Sequence, residues 1–222
     1  MAKSITTTLL IVFISIASIN AQNYTTADDS DPAATALLDL MDKYLSGLPR
    51  IHAEFEMNIT FPGEEAIENK GSFDQEGNKY FIELGTYQII CDANIRWVYL
   101  ADENEVNIYN ASSEDSPSTP IDFLQLYRSE DFVYRVTEEH VGYDEKSIEF
   151  KPLDKYSDYV KVRLTLKGDT GSPVRVELFE KGGTRTDLLI TKISEAENFP
   201  DDHFVFNPTA HPDIRIEDLR ID

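Results

Sequence analysis

Four histidines, at positions 52, 140, 203 and 211, and a single cysteine, Cys91, are the residues with which this 222-residue chain could do chemistry. His203 and His211 come nearest to a constellation, with Asp201, Asp202 and Asp213 beside them. Imidazoles and carboxylates in that proportion imitate a metal cluster. Pro208 and Pro212 interrupt the same stretch, and an acidic, proline-punctuated segment reads as a surface loop. Cys91 ends the apolar run Tyr-Gln-Ile-Ile-Cys and reads as a small buried hydrophobe. There is no Gly-x-Ser-x-Gly elbow, no His-Glu-x-x-His and no phosphate loop. Three Asn-x-Ser/Thr sequences, at Asn23, Asn58 and Asn110, stand against the roughly one or two that chance supplies in this length, and they matter only in a eukaryotic secretory route. The reading is of a protein that binds rather than turns over: no catalytic residues, no metal ligands and no cofactor.

The charge narrows what it binds. Twenty basic residues face 41 acidic ones, a formal net charge of −21. Nucleic acid and anionic membrane surfaces should repel such a chain. The acidity serves solubility, or it keeps a lipid-binding protein from adhering to headgroups; composition alone fits both.

The N-terminus sets the compartment. Met1 to Ala21 has one cation, Lys3, an apolar centre from Leu9 to Ile19, and small residues before Ala21. That is the pattern of a secretory signal, with cleavage expected after about Ala21. The apolar run is shorter than the roughly 20 residues of a membrane span. No cysteine stands at the cleavage point to carry a lipid anchor. Residues 22–31 read as a flexible acidic leader, and 32–222 as one domain, soluble and monomeric.

Periodicity supplies the elements. Asp31 and Pro32 mark a helix start, and Leu37, Leu38, Met41, Tyr44, Leu45 and Leu48 recur at spacings of three and four. This stripe suits a helix packed on a core, and equally the underside of a movable lid. From Ile51 to Phe61 apolar and polar residues alternate without a break, a long strand with one wet face. The pattern recurs at Tyr80–Leu84, Tyr87–Cys91, Arg96–Leu100, Val106–Tyr109 and Phe132–Val136. It continues around Ile148, Val160–Leu166, Val174–Leu178, Leu188–Ile190 and Phe204–Phe206, with Ile214, Ile216 and Leu219 as an edge segment. About ten or eleven strands joined by tight turns make an antiparallel meander that must curl or close. Between them, Thr119 and Pro120 open a second, short helix to about Ser129, with Ile121, Phe123, Leu124 and Tyr127 on its apolar face.

The stretch HFVFNPTAHPDIRIEDLR, from His203 to Arg220, resembles the C-terminal end of the periplasmic outer-membrane lipoprotein carriers, the LolA family. Its Phe-x-Phe, Asn207-Pro208, His211-Pro212 and Asp218-Leu219-Arg220 carry the likeness. The segments Gly71–Leu84 and Tyr87–Val106, with Trp97 and Tyr99 as a Trp-x-Tyr strand, resemble the family's central hairpins. The resemblance implies an α+β fold: an incomplete antiparallel β-barrel covered by a helical lid. It implies a lipid-binding cavity formed by Phe55, Met57, Ile59, Tyr80, Ile82, Leu84, Trp97 and Tyr99, and a lid carrying Leu37, Met41, Tyr44, Phe123 and Tyr127. It also implies the partners: acylated lipoproteins, an inner-membrane ABC-type release complex and an outer-membrane receptor.

One departure is plain. In the family's best-studied branch an arginine before a Pro-aromatic strand holds the lid closed, and Glu76 or Gly77 stands there in this chain. The function implied is a shuttle for lipoproteins between the two membranes. The alternatives are a lipid- or lipoprotein-sensing module on the same fold, or a carrier for another amphiphile such as a glycolipid. Alternation by itself does not separate a cavity from a filled sandwich core.

Overall fold

The computed structural model describes residues 26–112, 128–137 and 142–220. The signal-like segment, most of the second expected helix with Phe123 and Tyr127, and His140 lie outside the described residues. One α-helix is described, α1 (Pro32–Ser46), with twelve strands. These are β1 (Arg50–Thr60), β2 (Ile67–Glu76), β3 (Lys79–Leu84), β4 (Tyr87–Cys91), β5 (Ile95–Leu100) and β6 (Glu105–Asn110). They continue as β7 (Phe132–Thr137), β8 (Glu145–Pro152), β9 (Tyr159–Lys167), β10 (Pro173–Glu180), β11 (Arg185–Glu195) and β12 (Arg215–Asp218).

All twelve form one sheet in the order β12-β6-β5-β4-β3-β2-β1-β11-β10-β9-β8-β7. Every pairing is antiparallel except the short parallel contact of β12 with β6. The sheet is open, because β12 and β7 at its ends do not pair with each other. It is nevertheless strongly curled. Strands β4 and β9 stand six places apart, about 29 Å in a flat sheet at ~4.8 Å per strand. Yet Tyr87 and Ile89 of β4 line one cavity with Tyr159 of β9. The expected incomplete barrel with a helix over it is the fold observed.

Register explains the inner face. Ala53, Phe73, Ile82, Ile89 and Val98 pair in one row across β1 to β5. Met57, Leu188, Val176, Leu164, Ile148 and Val136 form a second row from β1 to β7. The outward row on the same strands is Arg135, Glu149, Arg163 and Glu177, an alternation of charge. Opposite charges in directly facing positions stabilise an antiparallel pair. Burial by itself would push the Glu149 carboxyl up, but Lys161 at 2.7 Å, with Arg135 and Arg163, outweighs it and holds the group below its ordinary value.

Two elements differ from expectation. β2 carries almost no alternation, because Gly71 faces inward where a large side chain would be expected. A Cβ at Gly71 would lie 2.5 Å from the Phe55 ring, its cross-strand neighbour. The ring covers the glycine, and so an apolar position is built without an apolar residue. Phe204 and Phe206, expected as a strand, lie in a turn and the irregular segment that follows it. Both side chains are buried, Phe206 in a cluster on the outside of the sheet and Phe204 against Phe199 and His203, which produces the same alternating burial without any ladder.

Helix α1 begins as its sequence dictates, with the Asp31 carboxylate capping Ala33 N–H and Pro32 at the first position. It buries Ala34, Leu38 and Met41, one stripe at helical spacing, in the inner core. Gly171, at φ +75° in the β9–β10 turn, lets that turn touch the helix. A Cβ there would meet the backbone of Leu40 and Met41 at 2.5 Å. No described helix is long and apolar enough to cross a membrane.

Candidate functional site

Residues that alternate along strands with one wet face converge when the sheet curls, and here they enclose an apolar space. Met57 and Ile59 of β1, Ile82 and Leu84 of β3, and Leu178 and Leu188 of β10 and β11 wall a cavity of about 250 Å³. A smaller void of about 40 Å³ lies against Leu45 of α1, with Phe55 and Phe73 in its wall. Ile82, Val176 and Leu188 line both, so the two spaces are neighbours along one groove. The lining residues with polar side-chain groups are Tyr87, Tyr159 and Thr186. Burial raises both phenols above the ordinary tyrosine pKa, Tyr159 with further help from Glu180 and Asp158. They remain neutral hydroxyls through the physiological range. Such a surface offers dispersion and hydrophobic contact to alkyl chains, and it holds no group placed to do chemistry on them.

Six of the eight expected cavity residues share this face. Met57, Ile59, Ile82 and Leu84 line the larger space, and Phe55 the smaller. Tyr80 is on the same face but lies beyond both, its ring 5.7 Å under the Arg96 guanidinium. Trp97 and Tyr99 are not brought to it. Register aligns Trp97 with Ile90, Phe81 and Asp74, the row that faces outward. There Tyr99, Ile90, Val106 and Phe206 form a separate buried cluster, with Trp97 and Phe81 against it. The reason is that β5 is buried on both faces, so its apolar run does not say which side is inside.

Of the lid residues, Met41 is fully buried and Leu37 packs against the inner core. Tyr44 is half-buried outside that cluster. Leu38 is buried as deeply as Met41, on the same helical stripe. The second half of the sheet also lines the cavity, beyond the expected residues. Val176, Leu178 and Leu188 carry the same alternation as β1, and that periodicity is the sequence signal that marks them.

His52, His203 and His211 serve architecture. Asp74, almost buried on β2, accepts from His52 Nδ1 at 2.6 Å through one oxygen and from His203 Nε2 at 2.8 Å through the other. His203 stacks on Phe199 at 4.7 Å, and His211 lies 4.4 Å from Tyr99 and parallel to Phe206. Together they fasten the C-terminal segment across the outside of β3 to β6. Among the described residues no group of three His, Cys, Asp or Glu side chains is placed to hold a metal ion. Cys91 is a buried free thiol on the inner face.

The family model of the outer membrane lipoprotein carrier protein LolA matches residues 85–207, more than half of the chain. An uncharacterized conserved protein from Thermus thermophilus superposes with a TM-score of 0.55 at 14% identity, over 84% of this chain and 99% of that one. A LolA superfamily protein from Nitrosomonas europaea gives 0.43 at 13% identity, over 78% and 97%. A DUF1329 family protein from Desulfovibrio piger gives 0.47 at 16%, over 82% and 100%. No curated protein sequence matches significantly.

Proposed function

Because the chain belongs to the LolA family of outer membrane lipoprotein carrier proteins, we propose that it is a soluble periplasmic carrier that takes the acyl chains of lipoproteins into this groove and moves them from the inner to the outer membrane. The observation that carries the reading is the groove itself, two adjoining apolar spaces sharing Ile82, Val176 and Leu188 beneath a helix. Each buried CH₂ is worth about 0.8 kcal/mol, so a lipoprotein with several acyl chains is held in its membrane by tens of kcal/mol. A carrier offsets that cost with apolar surface of its own, and keeps the surface covered when empty to avoid aggregation. An outer face of alternating charges, on a chain of net charge −21, suits a protein that must not adhere to headgroups.

The carrier reading assigns extraction to an inner-membrane ABC-type complex and delivery to an outer-membrane receptor. This chain works as a monomer and without a cofactor. About 250 Å³ falls just below the ~300–1,000 Å³ of typical ligand sites. A lipoprotein's acyl chains therefore need more room, and α1 is the element positioned to yield it. The test is release: purified protein added to spheroplasts should draw lipoproteins into a soluble one-to-one complex, and mass spectrometry of protein from the periplasm should find acyl chains bound. Retention of lipoproteins on the spheroplasts, with no lipid on the purified protein, would overturn the carrier reading in favour of sensing or of another amphiphile.

A further inference from the structure

One carboxylate joins α1 to the sheet by doing two jobs. Asp31 Oδ1 accepts from the Ala33 N–H at 2.9 Å, which caps the helix. Asp31 Oδ2 accepts from the Val136 N–H of β7 at 3.2 Å. The backbone adds to this: Asp31 N–H donates to the Tyr134 carbonyl at 2.9 Å, and Tyr134 N–H donates to Ser30 Oγ at 3.2 Å. β7 ends the sheet, so these are groups that an edge strand would otherwise present to solvent. Ser30 and Asp31, where the expected leader meets the helix, lie hydrogen-bonded along the outer edge of β7.

The two ends of α1 are held differently. At its C-terminus Gly47–Pro49 connects directly to β1, so that end cannot leave. Its N-terminus is held to β7 by hydrogen bonds, and by packing of Ala34, Leu38 and Met41 over the inner core. The ion pair of Asp42 with Arg128 is about half exposed on both sides, and such pairs contribute little.

We propose that Asp31 is the latch of α1, a positioning residue that keeps the N-terminal half of the helix down over the groove while Gly47–Pro49 acts as the hinge. The idea deepens the carrier reading and rests on it for its purpose, while its geometry stands independently. Release at Asp31 lifts Leu38 and Met41 from the core, and so adds space on the side where the groove lacks it. Charge-assisted bonds to one carboxylate are strong enough to bias the closed form about ten- to a hundredfold, and local enough for a partner to break.

Asp31→Asn is the discriminating variant, because its NH₂ replaces one of the two accepting oxygens and faces either Ala33 or Val136 N–H with a donor; Asp31→Ala removes both bonds. Hydrogen exchange should quicken about tenfold at Val136 and in the first turns of α1 in both variants, through an opening whose free energy stays below that of β1 and β10. Uptake of a fluorescent long-chain fatty acid should accelerate several-fold, and the urea midpoint should fall only by the same roughly ten- to hundredfold change in the folding equilibrium, since the bonds are absent from the raised and the unfolded states alike. Unchanged exchange in α1 for Asp31→Ala would overturn the latch. So would exchange of α1 at the same free energy as β1 and β10, which marks a helix that opens only with the whole sheet. Selective quickening in a protein that binds no fatty acid would leave the latch standing and remove the carrier reading.

Discussion

Val176 offers the sharpest test of whether the inner face encloses usable space. It is 3% exposed, central in the sheet, and lines both parts of the groove. Replacing it with phenylalanine pushes extra ring carbons into the space between Ile82 and Leu188. In a filled core, overpacking of this kind costs about 1–3 kcal/mol. Here there is room, and at ~0.8 kcal/mol per buried CH₂ the added carbons return up to about 3 kcal/mol, less the strain of fitting a ring on a strand. The net change should lie near zero or be slightly stabilising, and the urea midpoint should hold or rise. The ligand effect should vanish: at a hundred times its Kd a long-chain fatty acid stabilises the native protein by about 2.7 kcal/mol. Val176→Phe should lose that increment because its own side chain occupies the site. The assay is urea unfolding of both proteins with and without fatty acid, read by far-UV circular dichroism. A variant that loses about 2 kcal/mol or more, yet keeps the full ligand increment, would refute the reasoning.

Trp97, the sole tryptophan, should keep its emission maximum when fatty acid binds, since it lies on the outer cluster; Phe206→Ala, which uncovers that cluster, should shift it to the red. Asp74→Ala should lower stability by about 1–3 kcal/mol and quicken proteolysis between Pro200 and Arg220, because the His203 bond that ties down the C-terminal segment ends on that carboxylate, beside the one from His52. Burial raises the Tyr87 and Tyr159 phenols, so the folded state favours their protonated forms. Their contribution is therefore complete below the ordinary tyrosine pKa of about 10 and is lost as pH rises beyond it. Alkaline unfolding should accordingly be less steep in Tyr87→Phe, and a slope equal to that of the unsubstituted protein would contradict the placement.

Alternation alone determined most of the sheet. Strands β1, β3 to β5 and β9 to β11 announce themselves through their apolar periodicity, and the helix announces itself through Asp31-Pro32 and its stripe. What the sequence did not carry is whatever depends on a partner strand. β2 has Gly71 where Phe55 supplies the apolar surface, so its burial is written in another segment. Phe204 and Phe206 alternate without pairing, because turns laid across a sheet bury the same positions that a strand would. The inward or outward sense of Trp97 was not legible either, since both faces of β5 are covered and only register with Ile90 and Phe81 decides it. The two roles of the Asp31 carboxylate follow the same division. The helix cap is local chemistry that three residues specify, whereas the bond to Val136, 105 positions along the chain, exists only once the sheet has curled and brought its last strand under the helix.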